Sequence, residues 1–271
     1  MSKIRKVVAI IVLICFIVGV YGYTKKQIYS KKEEPVQYEK IVVGSDRYEP
    51  YIYLDDNGEF SGIDVELATE AFRRMGYEPE FKCILWENKK EELDLGNVDC
   101  LWGCFSMNER EDEYQWAGPY LFSRQVVVVR VNSSIHDISD LNGKDVAVQE
   151  TSKPEEYLLH STSSETPRPE KVYCFSSIDE VCAALRKNYV DAICGHESTL
   201  NRFIETAPDE YRILDEELFV SRLGVAFAKD FDSDFVKRLD QTLQEMREDG
   251  TTSEIVEKYG LNEPKNLEER D

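Results

Sequence analysis

The chain has 271 residues, 42% of them hydrophobic, which is enough for one large domain or two modest lobes and excludes a generally disordered chain. Its formal charge is −20; residues 1–26 hold five cations and no acid, so everything beyond them carries −25. A body that negative repels polyanions, which excludes nucleic acid and anionic lipid as its partners.

The N-terminus accounts for the asymmetry. Lys3, Arg5 and Lys6 precede the uncharged run VVAIIVLICFIVGVYGY, Val7 to Tyr23, and Lys25 and Lys26 close it. This pattern predicts an export signal whose basic end stays in the cytoplasm. The run is long for a signal-peptide core and short for a membrane span of about 20 residues. The expectation is an uncleaved anchor over residues 7–23, inside a signal or anchor segment 1–26, holding the body at the extracellular face of the cell membrane. Cleavage after Gly22, with secretion, is the alternative. Cys15 lacks the small residues that precede a lipidated cysteine. Residues 27–38 read as a charged linker and 263–271 as a polar tail.

Six cysteines remain outside the anchor: Cys83, Cys100, Cys104, Cys174, Cys182 and Cys194. An even count in an exported chain permits disulfides. No CxxC pair occurs, and four of the six fall in strand-like runs, which predicts small buried thiols instead.

In chain order, KIVVGSD reads as a strand and a turn, followed by a Pro50 turn and LDDNGEFSG, whose Asn57-Gly58 predicts a hairpin. From Ile63, Leu67, Ala68, Ala71, Phe72 and Met75 recur at helical spacing, and Gly76 stands where a helix stops. EPEFKCILW predicts a strand, ENKKEELDLG a short polar helix and VDCLWG a third strand. After the β-rich QVVVVRV the pattern resumes: DVAVQ, a helix from about Ser152, KVYCF, a helix from about Ser177, and VDAICG. Strands alternating with helices imply crossovers and a mostly parallel sheet, in two α/β units joined by a connector. Ser152-x-x-Glu155 and Ser177-x-x-Glu180 have capping-box spacing, which predicts reciprocal satisfaction of first-turn amides. A second β-rich stretch, RLGVAFAKD, precedes a helix striped by Phe235, Leu239, Leu243 and Met246 and a last one carrying Ile255, Val256 and Tyr259. If the second connector returns the chain to the first unit, these helices pack there.

The order of motifs resembles the extracellular solute-binding proteins of polar amino acid ABC importers, solute-binding family 3. The likeness runs from about Lys40 to Gly260 through RYEPY, DDNGEFSGIDVELA, Trp86, VDCLWGCFSMNER, WAGPYLFSRQVVVV, DLNGKDVAVQ, VDAICGHE, LGVAFAKD and EDGTTSEIVEKYG. Each motif is weak alone; their common order is specific. The resemblance implies a two-lobed α/β clamp of the type II periplasmic-binding-protein kind. Lobe 1 is expected over residues 39–128 and 223–262 and lobe 2 over 129–222, with hinge strands near Val126 to Arg130 and Leu223 to Ala228. It also implies closure on a small amino-acid-like ligand and an ABC permease as partner. Neither a cofactor nor a metal is implied.

In open α/β sheets ligands sit beyond the carboxyl ends of strands, where GCFS falls. Small Gly103 and Cys104 permit close backbone approach, Ser106 offers a hydroxyl, and Arg110 a planar fork suited to a carboxylate. The resemblance gives Arg110 the ligand's α-carboxylate, although the spacing from Ser106 is one residue shorter than the family's. A surface Arg110 paired with Glu109 or Glu111 is the alternative. Tyr48 and Trp86 match aromatic positions that flank the ligand side chain. Thr151 and Ser152 open a helix whose free amides favour an anion, with Thr151 standing where the family usually has Gly. His196 takes the place of the Asp that receives the ligand's ammonium. Neutral imidazole accepts one hydrogen bond, whereas the protonated ring repels an ammonium. Glu197, Asp46 or the Gly103 carbonyl could hold an ammonium instead, or the ligand lacks one.

Two other readings share this fold. A dehydratase-like or murein-cleaving enzyme needs an acid or base in the cleft, for which Glu197 and His196 are the candidates, and no HExxH, nucleophile elbow or phosphate loop occurs. A sensor would use the same clamp to report ligand to a membrane partner. The reading favoured is a binding protein that closes without chemistry.

Overall fold

The computed structural model describes residues 38–261. The expected anchor, nearly all of the linker and the polar tail lie outside those residues. No helix among the described residues is long and apolar enough to cross a membrane.

Residues 39–101 alternate short apolar strands with helices, as the sequence pattern requires. Strand β1 (Glu39–Ser45) leads to a hairpin of β2 (Tyr53–Leu54) and β3 (Phe60–Ser61), then to helix α1 (Ile63–Met75). Gly76 ends α1 in the left-handed region, which costs glycine nothing. Strand β4 (Tyr77–Cys83), a 3-10 turn (Trp86–Asn88), α2 (Lys89–Asp94) and β5 (Cys100–Leu101) follow. The predicted strand VDCLWG is thus cut to two residues, and Cys104, three residues beyond it, takes a positive φ of 51°.

Two long strands cross the molecule: β6 (Gln115–Arg130) and β10 (Tyr211–Phe227). Both begin well before the apolar runs that announced them. Their remaining residues include Ser123 and Arg124 on β6 and Asp215, Glu216 and Glu217 on β10, so neither alternation nor an apolar run marks them. Between the long strands lie a 3-10 turn (Ile138–Leu141), β7 (Asp145–Gln149), α3 (Lys153–His160), β8 (Lys171–Phe175), α4 (Ile178–Arg186), β9 (Ala192–His196) and α5 (Glu197–Glu205). Helix α5 was not anticipated, although Leu200, Phe203 and Ile204 give it an apolar stripe. After β10 come α6 (Ser233–Glu248) and α7 (Thr251–Glu257).

These strands make one eight-stranded sheet in the order β4-β1-β5-β10-β6-β9-β7-β8. β1 pairs parallel with β4 and β5 at one end, and β7 pairs parallel with β8 and β9 at the other. The antiparallel β6–β10 pair lies between them, with register shifts in β10 between Ile213 and Phe219 and between Leu223 and Val225. β6 meets β9 from Gln125 to Val129, and β10 meets β5 at Ala226. Helices α6 and α7 return to the first end as expected. Phe235 stacks within 6.3 Å of Phe72 on α1 and 5.1 Å of Tyr77, and Leu239, Leu243 and Met246 are buried.

The two capping boxes form by halves. The Ser152 and Ser177 hydroxyls accept from the amides of Glu155 and Glu180, but the glutamates do not return to their caps. Glu155 takes the Thr151 amide at 2.5 Å and Glu180 the Ser176 hydroxyl at 2.8 Å, one residue upstream in each case. All six cysteines in the described residues are free; Cys100, Cys104, Cys182 and Cys194 are buried, whereas Cys83 is exposed.

Candidate functional site

A cavity opens between the two ends of the sheet, at the carboxyl ends of β1, β5, β7 and β9. Asp46, Tyr48, Trp86, Gly103, Cys104, Ser106 and Arg110 line it from the first end. Gln125, Gln149, Ser152, Lys153, Pro154 and His196 line it from the other. The walls stand close together, and the space open to the centre of a water molecule is about 30 Å³. Eight of the nine residues singled out in the sequence meet here; Thr151 is not among those that line the cavity.

The first wall is fixed from behind. Gly103 packs so closely on β1 that a Cβ there would fall 1.8 Å from Ser45 Oγ, so its missing side chain makes room for Ser45. Cys104 donates its amide to Asp64 Oδ2 at 2.7 Å, and the Tyr120 hydroxyl donates to the same oxygen at 3.0 Å. Burial raises the Asp64 carboxyl to about 7, and these two bonds work against that rise. Asn108 accepts the Arg222 amide and donates to the Val220 carbonyl, stitching the loop to β10. Trp86 stands edge-on to Phe105, 5.0 Å away, and Phe105 packs in turn on Tyr114 and Trp116.

Arg110 is 8% exposed, with its guanidinium over the Phe105 ring at 5.3 Å. Its NH2 donates across the cleft to the Thr151 carbonyl at 3.2 Å and pairs with Glu156 at 3.3 Å. Neither neighbour in sequence holds it: Glu109 pairs with Lys153 at 2.6 Å, and Glu111 pairs with Arg222. Burial lowers the Arg110 pKa while nearby acids, Glu156 first, oppose that; the group stays cationic.

At the opposite wall the amides expected to be free are taken. The Thr151 amide goes to Glu155, and the Ser152 amide to the Gln149 carbonyl at 3.3 Å. Thr151 has φ 57°, a region glycine occupies without cost. Its hydroxyl and carbonyl instead anchor a cation from the first wall, Lys89 Nζ, at 2.7 and 3.4 Å. Lys89 is buried, its ammonium 5.0 Å from the Trp86 ring centroid, and burial lowers its pKa to about 8.

His196 is buried at the end of β9 and burial pulls its pKa down to about 3, so the ring is neutral. Its Nδ1 lies 2.9 Å from Ser123 Oγ and its Nε2 2.8 Å from Gln125 Nε2, and its backbone amide donates to the Tyr48 hydroxyl at 3.4 Å. Of the alternative ammonium acceptors, Glu197 is paired with Arg124 at 2.8 Å and does not line the cavity. Asp46 does line it; burial raises its carboxyl to about 7, and Gln149 donates to it across the cleft at 2.6 Å.

Sequence reasoning missed Gln125, Gln149, Lys89 and Lys153. The rule that ligands meet the carboxyl ends of strands points to Gln149, the last residue of β7. Lys89 and Lys153 sit at helix starts, where a cation opposes the dipole, and that anomaly was the available signal. A larger hollow of about 450 Å³ lies at the rim among Arg47, Arg186 and Arg202, where Arg202 pairs with Glu49 at 2.6 Å.

Known proteins resemble this arrangement. The probable amino-acid-binding protein YxeM of Bacillus subtilis (strain 168) is 25% identical over 227 residues, covering 82% of this chain and 83% of its own. The L-cystine-binding protein TcyA of the same organism is 26% identical over 223 residues, with 81% and 80% covered. The solved structure of an ancestral arginine-binding protein bound to arginine superposes with a TM-score of 0.73 at 27% identity, covering 81% of this chain and 97% of that one. The fold is the mixed α/β fold of type II periplasmic binding proteins. Residues 41–262 match one family throughout, and the chain belongs to the bacterial extracellular solute-binding proteins, family 3.

Proposed function

We propose that this protein captures an amino-acid-like small carboxylate outside the cell membrane by closure of two lobes and delivers it to an ABC-type importer. The lobes are the two ends of the sheet, and the hinges are β6 and β10. The pairing of β6 with β9 from Gln125 onward supports a crossing a few residues earlier than residue 128. The apolar run 7–23, flanked by lysines, would tether the body.

The observation that carries this reading is Arg110. A buried guanidinium on one wall reaches partners on the other, Glu156 and the Thr151 carbonyl. A solute carboxylate replaces the single contact to Glu156 with a bidentate one, in a space where water no longer competes. Ser106, Ser152 and Lys153 border that position, Thr151 holds the second wall to Lys89, and Tyr48 and Trp86 flank the remainder of the solute. Closure then follows from differential affinity, since a solute that touches both walls stabilises only the closed arrangement. Opening breaks the direct contacts across the cleft, among them Asp46–Gln149, Lys89–Thr151 and Lys153–Glu109.

Mass spectrometry of what co-purifies, followed by calorimetric titration and solution scattering, tests the proposal. The expected result is a carboxylated solute whose addition compacts the chain, and whose affinity falls at least 100-fold in Arg110→Ala. Undiminished capture by that variant, or no compaction, overturns it.

A further inference from the structure

The cavity ends, opposite Arg110, in a closed hydrogen-bond chain. Gln125 is 1% exposed and lies beside His196 in the β6–β9 register. A neutral imidazole has one N–H and one acceptor nitrogen. Gln125 Nε2 is 2.8 Å from Nε2 and 3.1 Å from Nδ1, and the Ser123 hydroxyl is 2.9 Å from Nδ1. The arrangement that satisfies the ring puts the proton on Nδ1, donating to Ser123 Oγ, and lets Nε2 accept from Gln125. The other hydrogen of Gln125 Nε2 goes to Ser221 Oγ at 3.1 Å. Ser123 Oγ also receives the Tyr51 hydroxyl at 3.3 Å, which in turn receives Ser198 Oγ at 2.9 Å.

Both ring nitrogens of His196 face protein, and both hydrogens of Gln125 Nε2 are spent. One buried atom is left over: Gln125 Oε1 has no partner, and Gln125 lines the cavity. A buried carbonyl oxygen without a donor costs free energy that a ligand hydrogen bond recovers. The group offered to the solute at this end is therefore an uncharged acceptor.

The charged side chains lining the same cavity are Arg110, Lys153 and Asp46. Lys89 adds a further cation behind Trp86. Asp46 is already bound to Gln149, and its burial favours the protonated form near neutrality. An ammonium placed against Gln125 would be desolvated beside a neutral oxygen, an expensive burial, while the carboxylates nearest the cavity's cations, Glu109 and Glu156, are already paired with Lys153 and Arg110. A hydroxyl there makes the same hydrogen bond without that cost.

We infer that the preferred solute carries an uncharged hydrogen-bond donor beside its carboxylate, as a 2-hydroxy acid does, with Gln125 Oε1 as the acceptor and His196 as the residue that orients it. This rests on the reading of Arg110 as the carboxylate's partner.

The test is calorimetric titration of the purified chain, freed of co-purified solute by unfolding and refolding, with matched triplets. Each triplet is an L-amino acid, its L-2-hydroxy acid and its 2-oxo acid, with leucine, phenylalanine, glutamine and glutamate side chains. In any triplet that binds, the hydroxy acid is expected to bind at least tenfold tighter than both others. His196→Asp, which puts a carboxylate at this end, is expected to reverse the order of hydroxy and amino acid. Gln125→Met is expected to abolish the hydroxy-over-oxo preference, and it serves as the second variant should His196→Asp fail to fold. An amino acid that binds as tightly as its hydroxy analogue in the unaltered chain, and loses binding in Arg110→Ala, sinks this inference and leaves the carboxylate reading standing. If no triplet binds and the co-purified solute has no carboxylate, both fall.

Discussion

The two walls of the cleft are made of different material. The first is backed by a cluster of rings, Trp86, Phe105, Tyr114 and Trp116, and its loop is pinned by Asp64, Asn108 and the close approach of Gly103 to Ser45. The second is backed by aliphatic side chains, Val127, Val129, Val146, Val148 and Leu214, and presents amides and hydroxyls that bond chiefly to one another. A wall of interlocked rings has one shape and holds a guanidinium at a fixed place. A wall of exchangeable polar groups sets which atoms of a solute are welcome. Under the proposed function, position would belong to one side of the cleft and chemical selection to the other.

Removing the ring at the centre of the first wall is the most severe way to break that contrast. Phe105→Ala is expected to cost about 3–5 kcal/mol of stability, since it strips contacts from Trp86, Tyr114, Trp116 and the Arg110 guanidinium together. Chemical denaturation measures it, and a loss under 1 kcal/mol would show that the rings do not brace the wall. A smaller effect is expected from Gly103→Ala, about 1–3 kcal/mol, because the added methyl meets Ser45. Adding Ser45→Gly to that variant should recover much of the loss; no recovery would place the strain elsewhere.

The gentlest test sharpens the contrast by pH. His196 is neutral when buried, with its pKa brought to about 3 from 6.5, so the unfolded chain binds a proton there that the native fold refuses. The stability this group contributes is complete above about pH 6.5 and is lost as pH falls toward 3. Asp46 and Asp64 act in the opposite sense. Each is raised from 3.8 to about 7, so each lowers stability as pH rises through that interval. Comparing unfolding midpoints of the unaltered chain and His196→Gln between pH 7 and pH 4 isolates the first effect. The difference between the two should shift in favour of His196→Gln on acidification, and a constant difference would mean the ring is already solvated or charged.

Much of the first wall was legible in the sequence because it is local. Gly103, Cys104, Ser106 and Arg110 follow one strand within eight residues, and the stripe of α1 behind them is a regular helical pattern. The termini of β7, which is buried, and of β8, which is half-buried at the sheet's edge, were legible too, because their apolar runs end in turn residues. The long strands were not. Their polar residues look out of place until β9 and β10 are set beside them, and pairing partners far apart in the chain leave no periodicity. Helix α5 was obscured by its opening His196-Glu197-Ser198, which serves the cleft and the Arg124 pair before it serves the helix. The Gln125–His196 chain joins residues 71 positions apart, so sequence showed the histidine as an oddity without showing what it holds.

The routing of β6 and β10 has a consequence for how the fold assembles. Strands β7, β8 and β9 and helices α3, α4 and α5 come from one uninterrupted stretch between the two long strands, which add Val127, Val129, Leu214 and Leu218 to its core, so that half draws on nearby sequence. The other half must join residues 39–101 to α6 and α7, which lie beyond Ser233. Contacts of such wide separation form slowly, because a long loop must close before they repay it. The α1 face that receives Phe235, Leu239 and Met246 is thus expected to mature last, and a chain halted before α6 would leave Phe72 and Tyr77 without their cover.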